Sequence, residues 1–135
     1  MRNSIKGSSV VALAMLFSML LIQCEAVHSK PKTYMVGDEE GWDLVIDMES
    51  WTKGKNFHAG DILVFKYDSQ QFDVVIVNQQ GHDSCTVNPG ATTFDSGDDA
   101  IPLAFGANYF IDSDHDARAA GMKMAINATA PPPSI

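Results

Sequence analysis

Basic side chains are scarce in this chain of 135 residues: nine Lys and Arg stand against seventeen Asp and Glu, for a formal net charge of -8. The few cations form no cluster that could track a phosphate backbone, which excludes nucleic acid as a partner. Cysteine is scarcer still. Two of them cannot build a disulfide-dense mini-protein or a four-thiolate zinc site. Long apolar runs are also missing, since the run from Val10 to Ile22 falls short of the roughly 20 residues that cross a bilayer. No C-terminal apolar tail of about 10–20 residues is present, so a GPI anchor is not expected, and the chain is expected to have no membrane anchor. What is present, 45% apolar and 9% aromatic residues, is enough to fill the core of one domain.

Residues 1–26 read as a secretory signal peptide. Arg2 and Lys6 precede the apolar run, and Cys24-Glu25-Ala26 supplies small residues around a cleavage point; cleavage near Ser29 is equally compatible. Removing residues 1–26 takes away Arg2, Lys6, Cys24 and Glu25. The remaining 109 residues carry 7 basic and 16 acidic side chains, a net charge of -9, and a single cysteine, Cys85. The domain is expected over residues 27–129, with a short Pro-rich tail over 130–135.

Within that domain the pattern is of short β-prone runs. Thr33–Val36 closes at Gly37, and Trp42–Trp51 reads as a loop or a short helix. Asp61–Tyr67 and Phe72–Asn78, rich in β-branched and aromatic residues, read as two strands joined by a turn at Asp68–Gln71. Gln79–Ser84 is a loop or one helical turn, Ala91–Phe94 a strand, and Ser96–Asp99 a turn. Ile101–Ala104 is an edge strand because Pro102 cannot donate to a ladder. Asn108–Ile111 and Met122–Ile126 complete the set. Seven or so strands with turn signals every 8–12 residues predict an all-β sandwich or barrel.

Several motifs then occur together and in order: Tyr34-Met35-Val36-Gly37-Asp38 with Gly41-Trp42; Trp51 with Lys53-Gly54-Lys55; Phe57-His58-Ala59-Gly60-Asp61 running into Ile62–Tyr67; Ser84-Cys85; Gly106–Ile111; and Ala120-Gly121-Met122-Lys123. The chain resembles the phytocyanin family of plants along most of the mature domain, and its plantacyanin, or basic blue protein, branch in particular. The resemblance implies a cupredoxin-like Greek-key β-sandwich of seven to eight strands, secreted into the plant cell wall or apoplast. It also implies a type 1 copper site, built in such proteins from two His, one Cys and a weak axial ligand. The positions that match those ligands are Phe72, Asp112, Ala117 and Met122, so only the axial thioether is retained. The family disulfide would join Cys85 to the residue at 118, which is Arg118. Copper, the cofactor the family implies, is therefore expected to be lost together with blue-copper electron transfer, and no cofactor is expected in its place.

Asp112, Asp114, His115 and Asp116 form an oxygen-rich stretch that reads as a solvated acidic loop, with a weak cation site as the alternative. An EF-hand is excluded, because its sixth position is Ala117 and its twelfth Lys123. His58 and His82 read as surface residues. Cys85 is left with three fates: burial, a free thiol, or a disulfide-linked dimer. Asn127-Ala128-Thr129 is a sequon for N-linked glycosylation at Asn127. No nucleophile-base arrangement is legible, so no enzyme activity is expected. The residues leave two functions open: a non-redox binding or structural protein of the extracellular matrix, with an extracellular protein or cell-wall glycan as partner, or an apoplastic copper-binding electron carrier with altered ligands such as Asp112, His115 and Met122.

Overall fold

The computed structural model describes residues 30–133, and its compact unit runs from Pro31 to Pro131. The expected leader, its cleavage point and Cys24 lie outside the described residues. Seven strands form two sheets, as the alternating apolar runs require. Strand β1 (Thr33–Met35) pairs in parallel with β2 (Ile62–Lys66), which pairs antiparallel with β5 (Asp98–Pro102). The second sheet is antiparallel throughout and ordered β4 (Thr92–Phe94), β3 (Val74–Val77), β6 (Gly106–Ile111), β7 (Lys123–Ala128). Three short helices fill the connections: α1 (Met48–Thr52), α2 (Gln79–Ser84) and α3 (His115–Ala119).

The strands' inward residues make one main core of Trp42, Leu63, Phe65, Val74, Phe110, Met124 and their neighbours. Trp42 meets Phe65 edge to face at 5.3 Å between ring centroids, and Phe65 meets Phe110 at the same spacing. These contacts join the two sheets, since Phe65 lies in β2 and Phe110 in β6. Val75, Val77 and Ile111 form a smaller cluster with Tyr109 packed on it.

One connection is a crossover and one expectation changes. β2 and β3 are joined by the turn at Asp68–Phe72, but they lie in different sheets, so the turn carries the chain across the sandwich and does not close a hairpin. Ser96–Asp99 is not wholly a turn either, because β5 starts at Asp98. The cause is Asp99, whose buried carboxylate accepts hydrogen bonds from the hydroxyls of Tyr67 and Ser96 (the latter at 2.6 Å) and so draws this acidic pair into the ladder. Burial and this carboxylate push the Tyr67 hydroxyl well above its ordinary range. β5 is an edge strand, as its proline implies, with Pro102 at its end.

The entry to the core depends on Gly41. Gly41 has φ 72 and ψ -163, a backbone region essentially restricted to glycine, and a Cβ there would stand 2.4 Å from the Lys66 carbonyl oxygen. That approach lets the Trp42 amide bond the same carbonyl at 2.9 Å and drops the indole into the core. Gly41→Ala is expected to lower stability by at least about 1–3 kcal/mol, whereas Gly54→Ala, at positive φ but with nothing within 4 Å, should cost less. Urea denaturation of both variants checks this; equal losses would show that the close approach does not matter.

Candidate functional site

One end of the sandwich gathers the Asp68–Asp73 connection, the end of β6, and the α3 segment that leads into β7. Trp42 fixes the first of these, its indole N–H donating to the Asp73 carbonyl at 2.8 Å. Asp112, which follows β6, is fully buried. Its carboxylate accepts the Asp73 amide at 3.0 Å and the Asp114 amide at 2.8 Å, while its own amide donates to the Met122 carbonyl at 3.0 Å. Asp73 returns the link: its carboxylate accepts from the amide and hydroxyl of Ser113 at 2.8 and 2.5 Å. Two chain segments 39 residues apart are thereby stitched by reciprocal carboxylate bonds. Burial raises the Asp112 carboxyl above its ordinary value; the two amide donors oppose this, and the nearby carboxylates of Asp73 and Asp114 add to it.

Phe72, Ala117 and Met122 are also buried here. Arg118 is buried with them, and its guanidinium donates to the carbonyls of Asp112 and Ser113 at 3.2 and 2.6 Å; its Nε has no partner. A cation thus sits where the loop carbonyls converge. Beside the site an open polar cleft is lined by Ser69, Gln71, Asp73, Asp95, Ser113 and Asp114 among others.

The plastocyanin-like domain family matches residues 42–122. The chain belongs to this family, as a phytocyanin. Early nodulin-like protein 22 of Arabidopsis thaliana is 44% identical over 123 residues, covering 90% of this chain and 88% of that one. Chemocyanin of Lilium longiflorum is 42% identical over 127 residues, covering 94% and 98%. Among solved structures, cucumber basic protein, a blue copper protein, superposes with a TM-score of 0.68 at 45% identity over 71% of this chain and 98% of its own.

Type 1 copper needs two imidazole nitrogens and a thiolate in its trigonal set. At the positions that the resemblance matches to these ligands the chain offers a phenyl ring, a carboxylate already bonded to two amides, and a methyl group, with the Met122 thioether as the remaining donor. These residues do not fit that ion. Nor do the acidic residues converge on another: among the described residues no group of three or more His, Cys, Asp or Glu side chains is arranged to hold a metal. Asp114 spends its carboxylate on the Asp116 amide, capping α3. The side chains of His115 and Asp116 are 73% and 100% exposed, so His115 is not brought to Asp112 and Met122. The aspartates at every second residue serve successive Asx turns, a reading of the same spacing that needs no cation.

Other expectations are adjusted by the packing. His82 is not a surface loop residue: it lies in α2, its side chain is only 13% exposed, and its ring packs 5.4 Å from that of Tyr109. Its Nε2 meets Glu49 of α1 and its Nδ1 meets Asp83, both at 3.0 Å. The separation of 33 residues between His82 and Glu49 hid this contact from any local pattern. Asp112, read as part of a solvated acidic loop, is buried. His58 lies half-buried beside Asp61. Cys85 is half-buried at the end of α2 with φ 54, and its sulfur lies 3.9 Å from the Lys123 ammonium. Ser113, central to the network, carried no signal beyond its neighbourhood to Asp112, and Arg118 was marked only as the residue at the family's disulfide position.

A carboxyl raised in the folded state favours folding when protonated, and that contribution is lost as pH rises through its folded titration point. The stability of the wild type relative to Asp112→Asn should therefore fall as pH rises through the midpoint measured for Asp112 by carboxyl carbon NMR. A relative stability that rises over that interval would reverse the assignment.

Proposed function

We propose that this phytocyanin has given up blue-copper electron transfer and acts as a non-redox, non-enzymatic binding or structural protein of the plant extracellular matrix. The observation that carries the reading is the donor set at the end of the sandwich. Phe72 and Ala117 have no donor atom, Asp112 is committed to two amides, and Met122 alone supplies the weak member of a copper set. The scaffold around these residues is kept, including the Trp42, Phe65 and Phe110 core that in an electron carrier would hold the ligands still.

Secretion is supported by the signal-like residues 1–26 and matches the plant phytocyanins to which the chain is similar. Binding then falls to the surface. Glu39, Glu40, Asp95, Asp98, Asp114 and Asp116 are exposed, and a mature net charge of -9 repels polyanions such as pectin at low salt. The partner class is an extracellular protein with a cationic face or a neutral cell-wall glycan, for which the hydroxyl- and amide-lined cleft near Asp73 supplies donors and acceptors.

Titration of residues 27–135 with copper, followed by absorption and electron paramagnetic resonance, tests the redox half of the proposal. No intense thiolate-to-copper visible band and no reversible copper couple are expected. A stoichiometric copper complex with a reversible couple would overturn it in favour of an electron carrier with altered ligands.

A further inference from the structure

Phe105 is the most exposed large apolar side chain of the described residues, at 73%. It occupies the bend before β6, one residue ahead of Gly106, and the strand register pairs Gly106 with Ala128 and Ala107 with Asn127. Phe105 therefore lies just beyond the end of the β6–β7 ladder at which Asn127 stands.

Asn127 faces outward. Ile126 and Ala128 on either side are buried, whereas Asn127 and its cross-strand partner Ala107 are exposed. Asparagine is disfavoured within strands, yet here it opens Asn127-Ala128-Thr129, the acceptor triplet for an N-linked glycan, with no proline in the middle. Thr129 is also exposed. In the folded domain its hydroxyl leans on the Phe57 carbonyl at 3.4 Å, but it is free in a chain that has not yet folded, the form in which the secretory machinery transfers the sugar.

We propose that Asn127 carries an N-linked glycan whose first N-acetylhexosamine lies over the ring of Phe105. A sugar ring presents a face of C–H groups, and these are attracted to the electron-rich face of an aromatic ring. The glycan thus covers an apolar side chain that the fold itself leaves in water. The proposal rests on the secretory reading, so its test separates the two.

The full chain, and in parallel residues 27–135 behind a well-behaved cleavable signal from another protein, are expressed in a eukaryotic secretory host. Both should reach the medium and lose mass on treatment with peptide-N-glycosidase, and Asn127→Gln should lose none. The glycosylated protein should melt roughly 4 °C or more above Asn127→Gln, and that gap should fall by half or more when both carry Phe105→Ala. NMR should show contacts between sugar protons and the Phe105 ring. A secreted chain without a glycan overturns the proposal, and a melting gap indifferent to Phe105→Ala overturns the stacking. Failure of the full chain alone to reach the medium overturns the secretory reading of residues 1–26, while the glycan is judged on the chain led by the other signal.

Discussion

The carboxylate of Asp112, buried and bonded to the amides of Asp73 and Asp114, is the interaction on which the end of this sandwich depends. Two loops must meet there, one leaving β2 for β3 and one leaving β6 for β7, and each points a backbone amide at the buried Asp112 side chain. An unpaired buried amide costs about 1–3 kcal/mol. A carboxylate can satisfy two such donors at once. Asp73 completes the pair by accepting from Ser113, so the two loops are linked in both directions. The burial that makes these bonds strong also raises the cost of the charge, which is why the Asp112 carboxyl is pushed up.

The cation of the site comes from the chain as well. Arg118 turns its guanidinium toward the carbonyls of Asp112 and Ser113 instead of toward a carboxylate. Carbonyl oxygens at the end of a strand carry partial negative charge, and a buried guanidinium supplies several planar donors to meet them. Asp112 and Arg118 thus occupy, with opposite charges, a loop whose relatives are named for blue copper. Away from this loop the rings of Trp42, Phe65 and Phe110 bring the two sheets together, and Trp42 ties that core to the loop through the Asp73 carbonyl.

The strands were legible because β-branched and aromatic residues are concentrated in β2, β3 and β6, because Lys123 alternates with apolar neighbours in β7, and because turn residues separate them. Gly41 was legible as punctuation, though its close approach to the Lys66 carbonyl was not. The assignment of β2 and β3 to different sheets was hidden, since a hairpin and a crossover can begin with the same turn. His82 was read as a surface residue because its neighbours are polar, and only Glu49, 33 residues earlier, explains its burial. The resemblance to phytocyanins marked Asp112 as a residue at a ligand position, but not that its carboxylate would be bonded to the Asp73 and Asp114 amides.

What the sequence by itself determined is the chemistry on offer. No folding can supply an imidazole at residue 72 or 117, or a thiolate at 112, because side-chain identity is covalent. What only the tertiary structure decided is where equivalent side chains end up. Asp112 and Asp116 are two aspartates in the same acidic stretch, yet one is buried between two amides and the other is wholly in water. The difference lies in partners brought from distant parts of the chain, and local sequence carries no record of those.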